Sequence, residues 1–202
     1  MAKPLFSTLF ILFSSISIAL SQAEFKADYP QKVNEILAKS LKFPAESRQK
    51  REGGNILLSI KIDSKGMLDS VFVLEESHAP LMNEVMKSVA ILKENWEPEY
   101  LEGREFDTKY LLNFNFKSEL ARGRPISYKT AVSKLIEKEK YQEAMEEIER
   151  LIAENPYDPE LYFLRSQVYN NTGETTKFQE DFMKTRYLKK EMLSTVIIQA
   201  VR

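Results

Sequence analysis

Polar and apolar residues alternate along the segment Lys109–Phe116. The apolar side carries four large residues: Tyr110, Leu112, Phe114 and Phe116. The other side is mostly amide, with Asn113 and Asn115. A period of two predicts a β-strand that buries an aromatic face and turns an amide face to water. We expect this strand to close its domain at a sheet edge, where its backbone N–H and C=O groups are open to a further strand.

Two helices and a hairpin are predicted before this strand. Apolar residues at helical spacing between Pro30 and Pro44 indicate a short amphipathic helix. Alternation in Gly54–Ile62 predicts a strand, the sequence Asp63–Gly66 predicts a tight turn, and the next eight residues form the returning strand. A second helix is expected from about Pro80 to Trp96. This order predicts an α+β fold with a small antiparallel three-stranded sheet and two helices.

The rest of the chain has helical periodicity. Apolar stripes predict four helices, separated in part by Pro156, Pro159 and Gly173. Four pairs of positions recur at a spacing of 34: Tyr128 and Tyr162, Leu135 and Tyr169, Ala144 and Phe178, Ile148 and Phe182. That spacing predicts an all-α module of two helix-turn-helix repeats. Because two repeats seldom suffice alone, we expect Met192–Val201 to form a capping helix, or the repeats to pack on the sheet.

The N-terminus has the layout of a secretory signal peptide. Lys3 precedes the apolar run Leu5–Leu20, and the small residues Ser21 and Ala23 precede the expected cleavage position. The alternative is a retained membrane anchor. The run contains four serines and is shorter than the ~20 apolar residues that span a bilayer, and both features disfavour that alternative. The expected organisation is a signal peptide (1–23), a sheet domain (24–118), a polar linker (119–127) and a helical module (128–202).

Composition narrows the possible functions. The charges of the 29 basic and 30 acidic residues nearly cancel, so the chain has no positive surplus of the kind that binding to nucleic acid or anionic lipid requires. The chain has no cysteine, which excludes disulfides and thiolate metal sites. The single histidine, His78, has no neighbours at triad or metal-ligand spacing. We therefore expect a protein that is not an enzyme and that uses no metal or cofactor.

The motifs of residues 29–116 resemble the C-terminal domain of TonB, the energy-transducing protein of the Gram-negative cell envelope. The matching elements are Tyr29-Pro30, Leu41–Glu46, Gly54–Ile62, Ile62–Gly66, Trp96–Pro98, Gly103 and the strand Tyr110–Phe116. The pattern departs at His78-Ala79, where members often carry Ser-x-Gly. The resemblance implies that a short peptide of an outer-membrane transporter adds as a strand beside the last strand. The implied partner-binding residues are Tyr110, Leu111, Asn113 and Asn115.

Residues 140–169 resemble tetratricopeptide (TPR) repeats, with Tyr141, Ala144 and Pro156 at the family's turn, small-residue and terminal-proline positions. The second copy departs at Phe178, where a small residue is usual. The resemblance implies a peptide groove lined by the first helix of each repeat. The matching groove positions are Lys129, Ser133, Phe163, Gln167 and Asn170.

Together these features indicate an exported, periplasmic protein-binding adaptor that is linked through the resemblance to TonB-dependent outer-membrane transport. Residues 21–28 are the only spacer between the apolar run and the sheet domain, and eight extended residues reach at most ~28 Å. That spacer is too short to cross the periplasm. Two alternatives remain open: an inner-membrane-anchored relative of the energy transducer, and a structural homodimer formed through the sheet edge.

Overall fold

The computed structural model describes residues 29–118 and 128–200, so the expected signal peptide and linker lie outside the described residues. The first segment contains α1 (Gln31–Ser40), α2 (Ala45–Lys50), β1 (Gly54–Ile62), β2 (Leu68–Glu75), α3 (Ala79–Glu94), a 3₁₀ helix (Pro98–Leu101) and β3 (Thr108–Lys117). The second contains α4 (Tyr128–Glu137), α5 (Tyr141–Glu154), α6 (Pro159–Asn171), α7 (Thr175–Glu191) and β4 (Met192–Gln199).

The two helices predicted for the sheet domain are present, and a third, α2, was not predicted. The first helix ends at Ser40, and Pro44 is the N-cap of α2. Proline suits a helix start because the first N–H groups have no intrahelical partner. The short α2 ends at Arg51, which adopts a left-handed conformation with φ 56°.

The predicted hairpin turn is confirmed. The Asp63 carboxylate accepts hydrogen bonds from the backbone N–H groups of Lys65 and Met67, both at 2.8 Å. Gly66 has φ +81°, a conformation that glycine adopts without steric cost. The indole N–H of Trp96 donates to the Gly66 carbonyl at 2.8 Å and ties the turn to the end of α3.

The sheet has four strands, in the order β2-β1-β3-β4. β1 pairs antiparallel with β2, as the tight turn predicted, and it also pairs antiparallel with β3. The fourth strand, β4, pairs parallel with β3. The expectation of a three-stranded, wholly antiparallel sheet is therefore wrong by one strand, and that strand comes from the far end of the chain.

Met192–Gln199 forms the strand β4, so the capping helix expected at Met192–Val201 is also wrong for these residues. Thr195–Ile198 is a run of four β-branched residues, which favours an extended backbone. β4 follows α7 directly, without a loop. The Arg104 guanidinium holds this junction, since its Nη1 donates to the carbonyls of Lys190 at 3.1 Å and Met192 at 3.0 Å.

Both faces of the sheet are covered. On one face, Ile56, Leu58, Ile60 and Ile62 are fully buried against α1 and α3, as the alternation in β1 predicted. Leu193 and Val196 of β4 belong to the same core. On the opposite face, the helical module packs through a cluster of Leu57, Tyr162, Leu188 and Met192. The helical module thus packs on the sheet, which is one of the two expected arrangements.

The helical module is built from two antiparallel helix pairs, α4 with α5 and α6 with α7. Its core contains Val132, Ala144, Ile148, Leu151, Leu161, Leu164 and Val168. Arg165 of α6 makes two hydrogen bonds to the buried Asp181 carboxylate of α7, at 2.7 and 2.9 Å. A bidentate contact of this kind fixes the relative orientation of the two helices.

Candidate functional site

The edge of β3 that was expected to be open is occupied by β4. The pairing runs from Leu111 with Met192 to Lys117 with Gln199. It continues one step further, because the Ala200 N–H donates to the Lys117 carbonyl at 3.1 Å. The expectation of an unpaired edge at Tyr110–Phe116 is therefore wrong. β3 is an interior strand, with β1 on one side and β4 on the other.

The amide face of β3 is buried, whereas the alternation indicated that it faces water. Asn113 is fully buried and its side-chain N–H donates to Asn155 Oδ1 at 2.9 Å. Asn115 donates to the side chain of Asn55 and to the Glu154 carbonyl at the end of α5. These side chains hold the sheet against the helical module, and neither is presented to a visiting peptide.

The other two predicted strand residues are also engaged within the chain. Tyr110 is buried on the α1/α3 side of the sheet and its hydroxyl donates to the Glu105 carbonyl at 2.9 Å. Leu111 is half-buried against the cluster formed with the helical module. The four β3 positions implied by the TonB resemblance therefore stabilise the fold in this structure.

The five predicted groove residues lie on the first helix of each pair. Lys129 and Ser133 are on α4, and Phe163, Gln167 and Asn170 are on α6. Lys129 forms an ion pair with the buried Glu160 at the start of α6, so its charge is used between the two helices. Ser133, Phe163 and Gln167 are half-buried, and only Asn170 is exposed.

The outer edge of β2 is uncovered, because no strand within residues 29–118 and 128–200 pairs with it. Three consecutive apolar residues on this strand are exposed: Phe72 to 46%, Val73 to 47% and Leu74 to 56%. Sequence reasoning missed this surface. The signal was the uncharged run Val71–Leu74, which is apolar on both faces of a strand and lacks the lysine or proline that commonly protects a sheet edge.

Local contacts shape this edge. Val73 pairs with Leu58 and Glu75 with Leu57, so Leu74 is an extra residue that forms a β-bulge. The Lys109 ammonium lies 5.3 Å from the centre of the Phe72 ring, which is cation–π distance. At the other end of the strand, Lys93 Nζ donates to the Asp69 carbonyl at 2.6 Å. Four residues of edge, Ser70–Val73, therefore remain between Asp69 and the bulge at Leu74, with apolar side chains on both faces.

Most of the sheet domain is similar to a known protein family. Residues 39–118 match the family model described as Gram-negative bacterial TonB protein C-terminal. The match covers less than half of the 202 residues and does not extend into the helical module, so the TPR assignment remains a prediction. No curated protein and no solved structure matches the chain. We refer to residues 39–118 as the TonB-like domain.

The structure extends the TonB-like domain beyond the matched residues. Val33 and Leu37 of α1, and Leu193 and Val196 of β4, complete its core, although all four lie outside residues 39–118. Within the part of the chain that the structure describes, no helix is long and apolar enough to cross a membrane. The same residues contain no group of three histidine, cysteine or carboxylate side chains placed to hold a metal ion.

A cleft of about 440 Å³ lies where the TonB-like domain meets the end of α5. Its lining is mixed in charge, with Glu75, Lys117 and Glu154 among its residues. Lys117 pairs with Glu154 at 3.1 Å, and the Tyr157 hydroxyl donates to Glu75 at 2.6 Å. Burial raises the pKa of Tyr157 to about 12, and the hydrogen bond to the Glu75 carboxylate adds to the effect. The charged groups of the cleft are thus largely used to join the two parts of the chain.

His78 is the one histidine, and its contacts suit a structural role. Its Nε2 lies 3.0 Å from the Ser47 hydroxyl and 3.6 Å from the Glu52 carboxylate. Its other ring nitrogen, Nδ1, lies 3.3 Å from the hydroxyl of Ser77, the preceding residue in the chain. Ser47 is also fully buried, out of reach of a substrate. These contacts pin α2 to the start of α3.

A buried polar cluster joins α4 to the start of α6. The Tyr128 hydroxyl donates to the Asp158 carboxylate, whose other oxygen accepts the Glu160 N–H at 3.0 Å and caps α6. Burial raises the pKa of Asp158, and the hydrogen bond from Tyr128 only partly offsets this. Burial also raises the pKa of Tyr29 to about 12, with Asp158 adding to the effect. The titratable side chains of this cluster lie where the TonB-like domain meets the helical module.

Proposed function

We propose that this protein is a non-catalytic, protein-binding adaptor of the periplasm, and that it captures an extended peptide segment by strand addition at the outer edge of β2. The export and the periplasmic location rest on the signal-peptide layout of residues 1–23 and on the match to the TonB C-terminal family. The partner class follows from the same match: a periplasmic segment of a cell-envelope protein, with an outer-membrane transporter as the first candidate.

The uncovered edge of β2 is the observation that carries this proposal. Strand addition requires a row of unpaired backbone groups, which give affinity, and side chains at alternate positions, which give selectivity. Phe72 and Val73 supply an exposed apolar side chain on opposite faces of the sheet. A peptide with apolar residues at alternate positions complements this edge.

The β3 edge is not part of the proposal. β4 covers it, and three consecutive β4 residues, Met192, Leu193 and Ser194, are fully buried. The Ser194 hydroxyl also donates to Asn34 on α1 at 2.9 Å. Replacing β4 with a visiting peptide requires all three to leave the core, so an edge that needs no displacement is favoured.

The helical module has a positioning role in this proposal. It covers the second face of the sheet through Leu57, Tyr162 and Met192, so the two parts of the chain present their surfaces in a fixed arrangement. The exposed Asn170 and the half-buried Phe163 and Gln167 remain the candidate positions for a second contact along the groove of the module. An adaptor joins two partners in this way without catalysis.

Site-specific photocrosslinking in the cell envelope tests the proposal. The full chain would carry the crosslinker at position 73 on the β2 edge, at position 197 on β4, or at position 86 on α3. Val73, Ile197 and Met86 are all exposed apolar residues, so the three sites are matched. We expect adducts at position 73 that map to one extended segment of one envelope protein. Adducts confined to position 197, or identical adducts at all three sites, would contradict binding at β2.

A further inference from the structure

The outward face of α7 carries the most exposed large apolar side chains of the helical module. Met183 is 61% exposed and Tyr187 is 56% exposed. They are four residues apart, so they lie one above the other on the same face of the helix. The opposite face of α7 is buried through Asp181, Thr185 and Leu188. The exposed pair therefore lies on the side of α7 that points away from the module.

Two cations flank this pair. Lys184 lies three residues before Tyr187, and Arg186 lies three residues after Met183. Both are exposed, and within residues 29–118 and 128–200 neither has a carboxylate at ion-pair distance. The Lys184 ammonium instead lies between two aromatic rings, 5.8 Å from the ring centre of Tyr162 and 6.0 Å from that of Tyr187. We name Met183, Lys184, Arg186 and Tyr187 the α7 stripe, an apolar pair with a positive border.

The outward face of α5 has the opposite charge. Gln142, Glu146, Glu149 and Ala153 are exposed and spaced four, three and four residues apart, which places them on one face of the helix. We name these four residues the α5 stripe. The ion pairs on α5 use Glu143, Glu147 and Glu154. Within the described part of the chain, Glu146 and Glu149 have no cation at ion-pair distance.

The two stripes are complementary in charge and shape. The α5 stripe extends over about 16 Å and the α7 stripe over about 6 Å at 1.5 Å per residue, so the shorter stripe fits within the longer one. Ala153 leaves room beside the α5 backbone for the large side chains of Met183 and Tyr187. In an antiparallel pairing of the two helices, Glu149 then comes next to the cations of the α7 stripe.

We propose that the α7 stripe of one copy of this chain docks on the α5 stripe of a second copy. The chain itself supplies the acidic surface that the positive border requires, which identifies the partner chemistry without a further protein. The contact joins two different surfaces, so it closes as a dimer if it is made twice about a two-fold axis and otherwise forms an open chain. This inference does not depend on the proposed binding of a peptide at β2.

Charge-swap complementation tests the contact. Sedimentation velocity of the purified full chain, over a wide range of concentrations, is expected to show a mass above the monomer that decreases at high ionic strength, because exposed charge pairs are screened by salt. Lys184→Glu with Arg186→Glu is expected to give monomer alone, and so is Glu146→Lys with Glu149→Lys. Mixing the two double variants is expected to restore the larger species, because only one of the two stripes is reversed in each.

Controls make every outcome decisive. Lys65→Glu with Lys87→Glu changes the net charge by the same amount as the α7 swap, at exposed positions of the TonB-like domain, and is expected to leave the mass unchanged. Circular dichroism checks that each swapped chain is folded. A wild-type chain that stays monomeric at all concentrations overturns the proposal. So does self-association that survives both swaps, or that fails to return when the two variants are mixed.

Discussion

Asn113 of β3 and Asn155, which follows α5, are joined by a side-chain hydrogen bond of 2.9 Å, and both side chains are buried. The bond connects the TonB-like domain to the helical module across 42 residues of sequence. On an uncovered sheet face the Asn113 amide would contact water, whereas here it binds the helical module. The same contact explains why the amide face of β3 is buried and does not face water.

Breaking this anchor is expected to be costly. Asn113→Ala leaves Asn155 Oδ1 buried without its donor, and an unsatisfied buried polar group costs about 1–3 kcal/mol. The free energy of unfolding, measured by urea denaturation, is expected to fall by that amount. In a double-mutant cycle with Asn155→Ala, the coupling is expected to be about 1 kcal/mol. A cycle with no coupling energy would show that the bond does not hold the TonB-like domain to the helical module.

The C-terminal strand is expected to be essential for the stability of the TonB-like domain, although it lies outside the residues that match the family. Leu193 is fully buried in the domain core, so Leu193→Ala is expected to lower the free energy of unfolding by about 2–5 kcal/mol.

Ile197→Ala is the matched control on the same strand. Ile197 is exposed, so its truncation is expected to change stability by less than about 1 kcal/mol. Urea denaturation of both variants measures the difference. Equal effects of the two substitutions would mean that β4 is not packed as a core strand.

Local patterns in the sequence predicted much of the TonB-like domain. The alternation in β1 identified the buried face, and Asp63 with Gly66 identified the turn, because both signals depend on neighbours within a few residues. The pairing of Leu112 with Ser194 has no such local signal, since the two residues are far apart in sequence. Parallel pairing also needs a long crossover, which here is the whole helical module.

The expectation of an open edge at β3 was wrong for a related reason. Alternation shows which side chains share a face, but it does not show what covers that face or which strand lies beside it. Asn113 and Asn115 were correctly placed on one face of β3, and the structure buries that face under the end of α5. The exposed edge at Phe72 and Val73 depends on strand order, which local spacing does not report.

The buried carboxylate of Asp158 is expected to make stability depend on pH. Its pKa is raised in the folded protein, so the folded state binds more protons than the unfolded state between about pH 4, the ordinary value for aspartate, and the raised value. Stability contributed by this group therefore decreases as pH rises through that window. Asp158→Asn keeps an N-cap side chain for α6 and removes the titration.

The measurement is the difference in unfolding free energy between the wild type and the Asp158→Asn variant as a function of pH. We expect the wild type to lose stability relative to the variant as pH rises from about 4, and the difference to level off once Asp158 is fully ionised. Burial raises the pKa of the neighbouring Tyr128, so this hydroxyl titrates only at high pH and does not contribute in this window. A difference that is flat from pH 4 upward would contradict a raised pKa for Asp158.

A lysine at the free edge is expected to block peptide capture without unfolding the protein. Val73 is exposed, so Val73→Lys is expected to change the free energy of unfolding by less than about 0.5 kcal/mol. An added strand would have to pack beside the new ammonium, and charged residues on edge strands prevent such pairing. With the crosslinker moved to position 74, the envelope adduct is therefore expected to disappear in this variant. Met86→Lys, the same change at an exposed position on α3, is expected to keep the adduct. An adduct that persists in a folded Val73→Lys protein would place the partner on another surface.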